Sequence, residues 1–158
     1  MNVHRSAEEV HREAKRHTRK RKKLLSMSSL EAKLDKIFSR FIRLRDADEG
    51  GTVSCVTCHK LMHYTEAHAS HFVKRQHRAT RWDERNVHTQ CPRENIYMGG
   101  SQDEMAVYIA KKYGADVLNE LLELKHSTRK FTRVDLEEMC NHYTQKLSEL
   151  EHANTFNR

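Results

Sequence analysis

The sequence predicts an α+β protein, mostly helical, in which a small zinc-stapled finger lies between N- and C-terminal helices. Three observations lead there. Cys55-x-x-Cys58 and Cys91-Pro92-Arg93-Glu94 are two ligand-spaced knuckles on either side of a histidine-rich segment. Gly50-Gly51 and Gly99-Gly100 bracket that segment as a unit. Outside the glycine pairs, apolar residues recur at helical spacing. The expected organisation is a basic arm over 1–27, a helix packing on the module within 28–50, the finger over 51–100 and a helical region over 101–158.

Composition limits the alternatives. Of 158 residues, 37% are hydrophobic and 32% charged, too little apolar content for a large core, so a metal staple would compensate. The net charge of +7 is uneven. Residues 1–49 carry 14 Lys/Arg against 8 Asp/Glu, whereas residues 101–158 carry 8 against 10. The run Arg19-Lys20-Arg21-Lys22-Lys23 suits a polyanion better than a merely solvated helix face. Met1 is followed by polar residues with no apolar run, and no stretch has membrane-spanning length. No membrane partner and a cytoplasmic location are therefore expected. Four cysteines in such a chain favour metal over disulfide.

The elements follow in order. Residues 6–25 read as helix almost without an apolar stripe, an arm that would order on DNA. Ser28-x-x-Glu31 is a capping box, and Leu30, Leu34, Ile37, Phe38, Phe41 and Leu44 give one apolar stripe, so a helix is expected over 29–47. Thr52-Val53-Ser54 reads as a strand, and Ala67–Val73 with Val87–Gln90 as a hairpin joined by the long basic segment Lys74–Asn86. Pro92 suits the first turn of a helix, which puts Asn95 on or beside a helix start. Ser101-x-x-Glu104 caps a helix running to Lys112 and stopping at Gly114; another spans Ala115 to about Lys125. The last helix, over about 133–150, carries Val134, Leu136, Met139, Tyr143, Leu147 and Leu150 on one side.

Cys55, Cys58 and Cys91 can place three thiolates on one structural zinc. The second knuckle ends in Glu94 where a fourth thiolate would be simplest. A Cys₃Glu site is open, as are His59, His63, His88 or water in the fourth place; Cys140 sits in a helical pattern and reads as a core thiol. Six of the twelve histidines lie between residues 59 and 88. An imidazole is well matched to removing a proton from water at neutral pH, and His71 is the candidate general base, with Phe72 anchoring its strand. In an extended strand His68 and His71 point to opposite faces, so one site using both requires a bend or an end between them. The Asn95 amide oxygen could serve a Mg²⁺ site that keeps several waters, and Asn86 is expected to bond backbone and fix the long loop. Lys74, Arg75, Arg78, Arg81 and Arg85 with Trp82 form a basic series with one aromatic, suited to phosphate contact and stacking; for Trp82 a small loop core is the equal alternative.

With these residues located, the chain resembles the phage recombination endonuclease family called NinG or Rap. The matching text is Phe41-Ile42-Arg43-Leu44-Arg45-Asp46, Cys55-x-x-Cys58, Ala69-Ser70-His71-Phe72, Arg81-Trp82-Asp83-Glu84-Arg85-Asn86-Val87-His88 and Gln90-Cys91, within roughly residues 30–150. The resemblance implies a finger of the HNH, or His-Me, ββα-metal type. It implies a divalent-metal endonuclease acting on Holliday junctions and D-loops, with His71 as base and Asn95 on a catalytic Mg²⁺ or Mn²⁺. Two positions depart from the family pattern: Glu94 stands for a cysteine, and His68-Ala69-Ser70-His71 for Asp-Ala-Gly-His. His68 could still bind a metal, favouring Mn²⁺, Ni²⁺ or Zn²⁺ over Mg²⁺. A structure-selective junction endonuclease is the leading expectation, with branched DNA, a possible homodimer and phage or host recombination proteins as partners. A zinc-stapled junction-binding protein that no longer cuts is the alternative, and a site-specific HNH homing or restriction nuclease the third.

Overall fold

In the computed structural model, which describes residues 6–8, 12 and 25–155, the first long helix, α1, runs Met27–Arg45. The expected arm over 1–27 lies mostly outside the described residues. The helix starts two residues earlier than the Ser28 capping box implies. Ser26 is the N-cap, its hydroxyl accepting from the Ser29 N–H at 3.1 Å, which leaves Ser28 inside the first turn. Leu30, Leu34, Phe38, Phe41 and Ile42 are buried, so the predicted stripe faces the core.

Two short antiparallel pairs follow. β1 (Thr52–Ser54) pairs with β2 (Leu61–His63) in the register Val53 to Met62. β3 (His68–His71) pairs with β4 (Val87–Gln90), His68 opposite Gln90 and His71 opposite Val87. The β3–β4 hairpin was expected; β2 was not, because three residues are too few for a readable alternation. The connection between β3 and β4 contains a 3-10 turn, Arg78–Thr80. After β4, Pro92 opens a single π-helical turn, Arg93–Tyr97. Then come α2 (Gln102–Tyr113), α3 (Ala115–Leu124) and α4 (Arg133–Thr155). Gly114 ends α2 at φ 97°, a conformation only glycine adopts without strain.

Three small cores hold the elements. Helix α1 packs on α4 around Leu34, Phe38, Leu136, Cys140 and Tyr143, closed by Trp82 and Phe131. Cys140 is a core thiol there, as its helical pattern suggested. Val134, expected on the apolar side of α4, is 60% exposed. Val53, Met62 and Ala67 surround Cys55 and Cys91 in a second core. Phe72 and Val73 pack on Met105, Ile109 and Leu121 in a third. Arg43 links α1 to the turn before β3, its guanidinium donating to the carbonyls of Tyr64, Thr65 and Ala67 at 3.3 to 3.4 Å. Among the described residues no helix is long and apolar enough to cross a membrane.

Candidate functional site

The three knuckle cysteines converge. Cys55 leaves β1, Cys58 lies in the turn before β2, and Cys91 directly follows β4, so one cluster ties both strand pairs to the π-helical turn. Their sulfurs all lie within 4.8 Å of one another, and Cys58 Sγ is 3.8 Å from Cys91 Sγ. Two sulfurs at about 2.3 Å from one tetrahedral zinc stand about 3.8 Å apart, so the spacing fits that ion. The thiol chemistry agrees. Burial opposes ionisation of Cys55, but backbone hydrogen bonds from Cys58 and Cys91 and the Thr57 hydroxyl bring it down to about 7. Cys58 is pushed up to about 11, by desolvation and then by its thiol neighbours. Three adjacent thiols resist joint ionisation until a cation compensates them.

Glu94 is buried but is not among the converging ligand atoms, and neither are His59, His63 or His88. Its carboxylate accepts from the Ser101 hydroxyl, and from the Thr57 hydroxyl at 3.5 Å. Thr57 in turn sits 3.3 Å from Cys55 Sγ. Glu94 is thus one hydroxyl removed from the sulfurs. Ser101, read as the cap of α2, has φ 44° and makes no capping bond, because its hydroxyl is turned to Glu94.

Asn95, in the π-helical turn, reaches β3. Its Nδ2 donates to His68 Nδ1 at 3.0 Å, and its Oδ1 accepts from the buried Ser70 hydroxyl at 2.8 Å. His68 and Ser70 share one face of β3, as the period of two requires. With Nδ1 accepting from Asn95, the His68 proton lies on Nε2, which can donate to another partner, and Asn95 Oδ1 keeps a second lone pair.

His71, the last residue of β3, faces the other way. Its Nε2 lies 2.9 Å from the Arg81 carbonyl, which requires a proton on Nε2 and leaves Nδ1 with a free lone pair. Burial lowers its pKa below the ordinary imidazole value, so the ring is neutral near pH 7. Arg81 is held in place in turn. Its guanidinium donates to Asp35 at 3.0 and 2.5 Å, and Asn86 fastens the loop by donating to the Val73 and Thr80 carbonyls and accepting from Val73 N–H at 2.7 Å. Asn86 does what the sequence suggested.

The basic series divides. Lys74 and Arg75 are exposed, with Lys74 Nζ 3.4 Å from the Gly99 carbonyl and Arg75 3.8 Å from Asp35. Arg78 pairs with Glu31 at 2.6 Å. Arg85 pairs with Asp83 and Glu120, each at 2.7 Å, and these carboxylates hold its pKa above the ordinary guanidinium value. Trp82 is 5% exposed, edge-on to Phe131 at 5.1 Å, with its indole N–H donating to Asp35 at 3.0 Å. The loop-core alternative describes Trp82, and no ring face is presented for stacking. Sequence reasoning gave no role at the site to Asp35, Ser70, Thr57 or Ser101. Of these only Asp35 left a trace, as the second of two acids, Glu31 and Asp35, four residues apart on a basic helix.

Neither curated proteins nor solved structures yield a significant match to the chain. A family model does: that described as the bacteriophage lambda NinG protein matches residues 1–153. With nearly its whole length covered, the chain belongs to the bacteriophage lambda NinG family.

Proposed function

We propose that this protein is a structure-selective DNA endonuclease that hydrolyses phosphodiesters in branched recombination intermediates such as Holliday junctions and D-loops. In this reading β3, β4 and the following turn are an HNH-type finger stapled by zinc on Cys55, Cys58 and Cys91, working in the host cytoplasm. The observation that carries it is His71: a half-buried neutral imidazole whose Nε2–H is fixed on the Arg81 carbonyl, with Nδ1 left to take a proton. The carbonyl selects the tautomer and raises the basicity of the other nitrogen.

His71 Nδ1 takes the proton of a water as its oxygen attacks phosphorus. The P–O3′ bond then breaks, and products carry a 5′-phosphate and a 3′-hydroxyl. A divalent cation held by Asn95 Oδ1, joined by His68 only once Nε2 has given up its proton, would polarise the phosphate and stabilise the leaving oxygen. Because β3 ends at His71, the scissile phosphate would cross that strand end, between the His71 face and the His68–Asn95 face. Lys74 and Arg75, both exposed, and Arg78, once released from Glu31, would contact backbone phosphates, with the N-terminal basic run adding affinity without reading sequence. Arg81, Trp82 and Arg85 shape the loop in this account.

The test is cleavage of a labelled four-way junction by the parent and by His71→Ala. Removing a general base costs about 10²- to 10⁴-fold in rate, while junction binding stays within about twofold of the parent. Undiminished cutting by the variant rules His71 out. A second reading, a junction-binding accessory protein without catalysis, is favoured by one observation: His68 and Asn95 bond each other on the strand face opposite His71. It predicts tight binding and no nicking with any metal.

A further inference from the structure

The π-helical turn sorts its side chains. Glu94 points inward to Ser101 and Thr57, and Asn95 to His68 and Ser70. The next three residues turn outward: Ile96 is 58% exposed, Tyr97 81% and Met98 55%. Each is large and apolar, and they directly follow Asn95 in the chain. Scattered exposed apolar residues are ordinary in folded proteins, whereas adjacent ones with an exposed aromatic mark a contact surface. π-Helical turns are rare and gather at functional sites.

The flanks are cationic. Arg93, at the start of the turn, is 72% exposed, and Lys74 reaches the Gly99 carbonyl at its end. Gly99 and Gly100, at φ 63° and 94°, close the turn. At Gly100 a Cβ would lie 2.8 Å from the Gln102 side chain. An apolar tip between two cations matches a nucleic-acid strand end, which offers a base face between phosphates. It matches a second copy poorly: three side chains fall far short of the roughly 1,000 Å² a specific protein interface buries, and the like-charged flanks would repel.

We propose that Ile96, Tyr97 and Met98 form a wedge that stacks on the base-pair face exposed at a DNA branch point, and so supply the preference for branched over linear DNA. This rests on the DNA reading above. In linear duplex every interior base pair is covered by its neighbours, so Tyr97 finds no face. Where arms meet, a terminal pair can be uncovered, and the ring can cap it.

The experiment measures binding of parent, Tyr97→Ala and Tyr97→Trp to a four-way junction and to linear duplex of the same sequence, all ends closed by hairpin loops so that no terminal base pair is open, without divalent metal. A 2-aminopurine at the branch reports stacking. Parent and Tyr97→Trp should prefer the junction and change the 2-aminopurine signal. Tyr97→Ala should lose about 5- to 150-fold in junction affinity, the range for one aromatic–base stack, with duplex affinity unchanged. A parent that prefers the junction and a Tyr97→Ala that keeps the full preference overturn the wedge and leave the DNA reading standing. A parent with no junction preference overturns both. Loss of self-association in Tyr97→Ala with junction preference intact would place the turn between copies and overturn the wedge.

Discussion

His88 shows how one buried side chain ties this fold to pH. It is fully buried, its Nε2–H donating to the Arg85 carbonyl at 3.0 Å and its ring edge-on to Tyr108. Burial, and then the charges of Arg45 and Lys112, push its pKa down to about 4. A depressed imidazole pKa means that the unfolded chain holds the proton more tightly. The stability His88 contributes is therefore complete above the unfolded value near 6.5 and is lost as pH falls from there toward 4. The loss should reach roughly 3 kcal/mol below pH 4. Urea unfolding between pH 7 and 4 should show this slope in the parent and a flatter one in His88→Gln; equal slopes would exclude His88 as the source. The cysteines give a second prediction. Cys91→Ser removes one of three converging sulfurs, so bound zinc should fall from about one per chain to near none, with unfolding at lower denaturant. Unchanged zinc by elemental analysis would count against the cluster as the zinc site. At this scale Cys55, Cys58, Cys91 and Asn86 were legible, because ligand spacing and backbone bonding are local properties. Arg81, Trp82 and Arg85 were not. Their partners Asp35 and Glu120 lie at least 35 positions away, and no local pattern announces a pairing across that distance.

Helix α1 is the element most plainly written in the sequence, since six apolar residues at helical spacing leave only one face to bury. Its start was not fixed by pattern, because Ser26 and Ser28 both have capping chemistry. The Ser26 hydroxyl bonds the Ser29 N–H and so takes the cap. Ser26→Ala should cost about 1 kcal/mol of stability and Ser28→Ala much less; thermal unfolding of the two variants separates them, and the reverse order would move the cap to Ser28. Short elements carried less signal. β2 is three residues long and is defined by its pairing with β1, a tertiary fact. The Ser101-x-x-Glu104 box misled because Glu94, seven residues earlier, accepts the hydroxyl that would have capped α2. α4 continues to Thr155, beyond the apolar pattern, and Glu151 in that extension pairs with Arg40 of α1 at 2.5 Å.

Across the whole molecule, helices dominate, one of two small sheets carries His68 and His71, and three thiols join the sheets to the turn that bears Asn95. Low apolar content and clustered cysteines made this division of labour readable, since a chain with little core must be fastened otherwise. The relation between His71 and the His68–Asn95 pair was readable only as a constraint, that residues three apart in a strand point oppositely. The structure keeps that constraint by ending β3 at His71. Endonuclease action at that strand end is the central claim. The most direct test is incubation of the protein with a labelled four-way junction and with linear duplex, in Mg²⁺, in Mn²⁺ and without divalent metal. The account predicts metal-dependent nicking of the junction over the duplex, stronger in Mn²⁺, leaving 5′-phosphates. Tight junction binding with no nicks in either metal would contradict it and leave the junction-binding reading in its place.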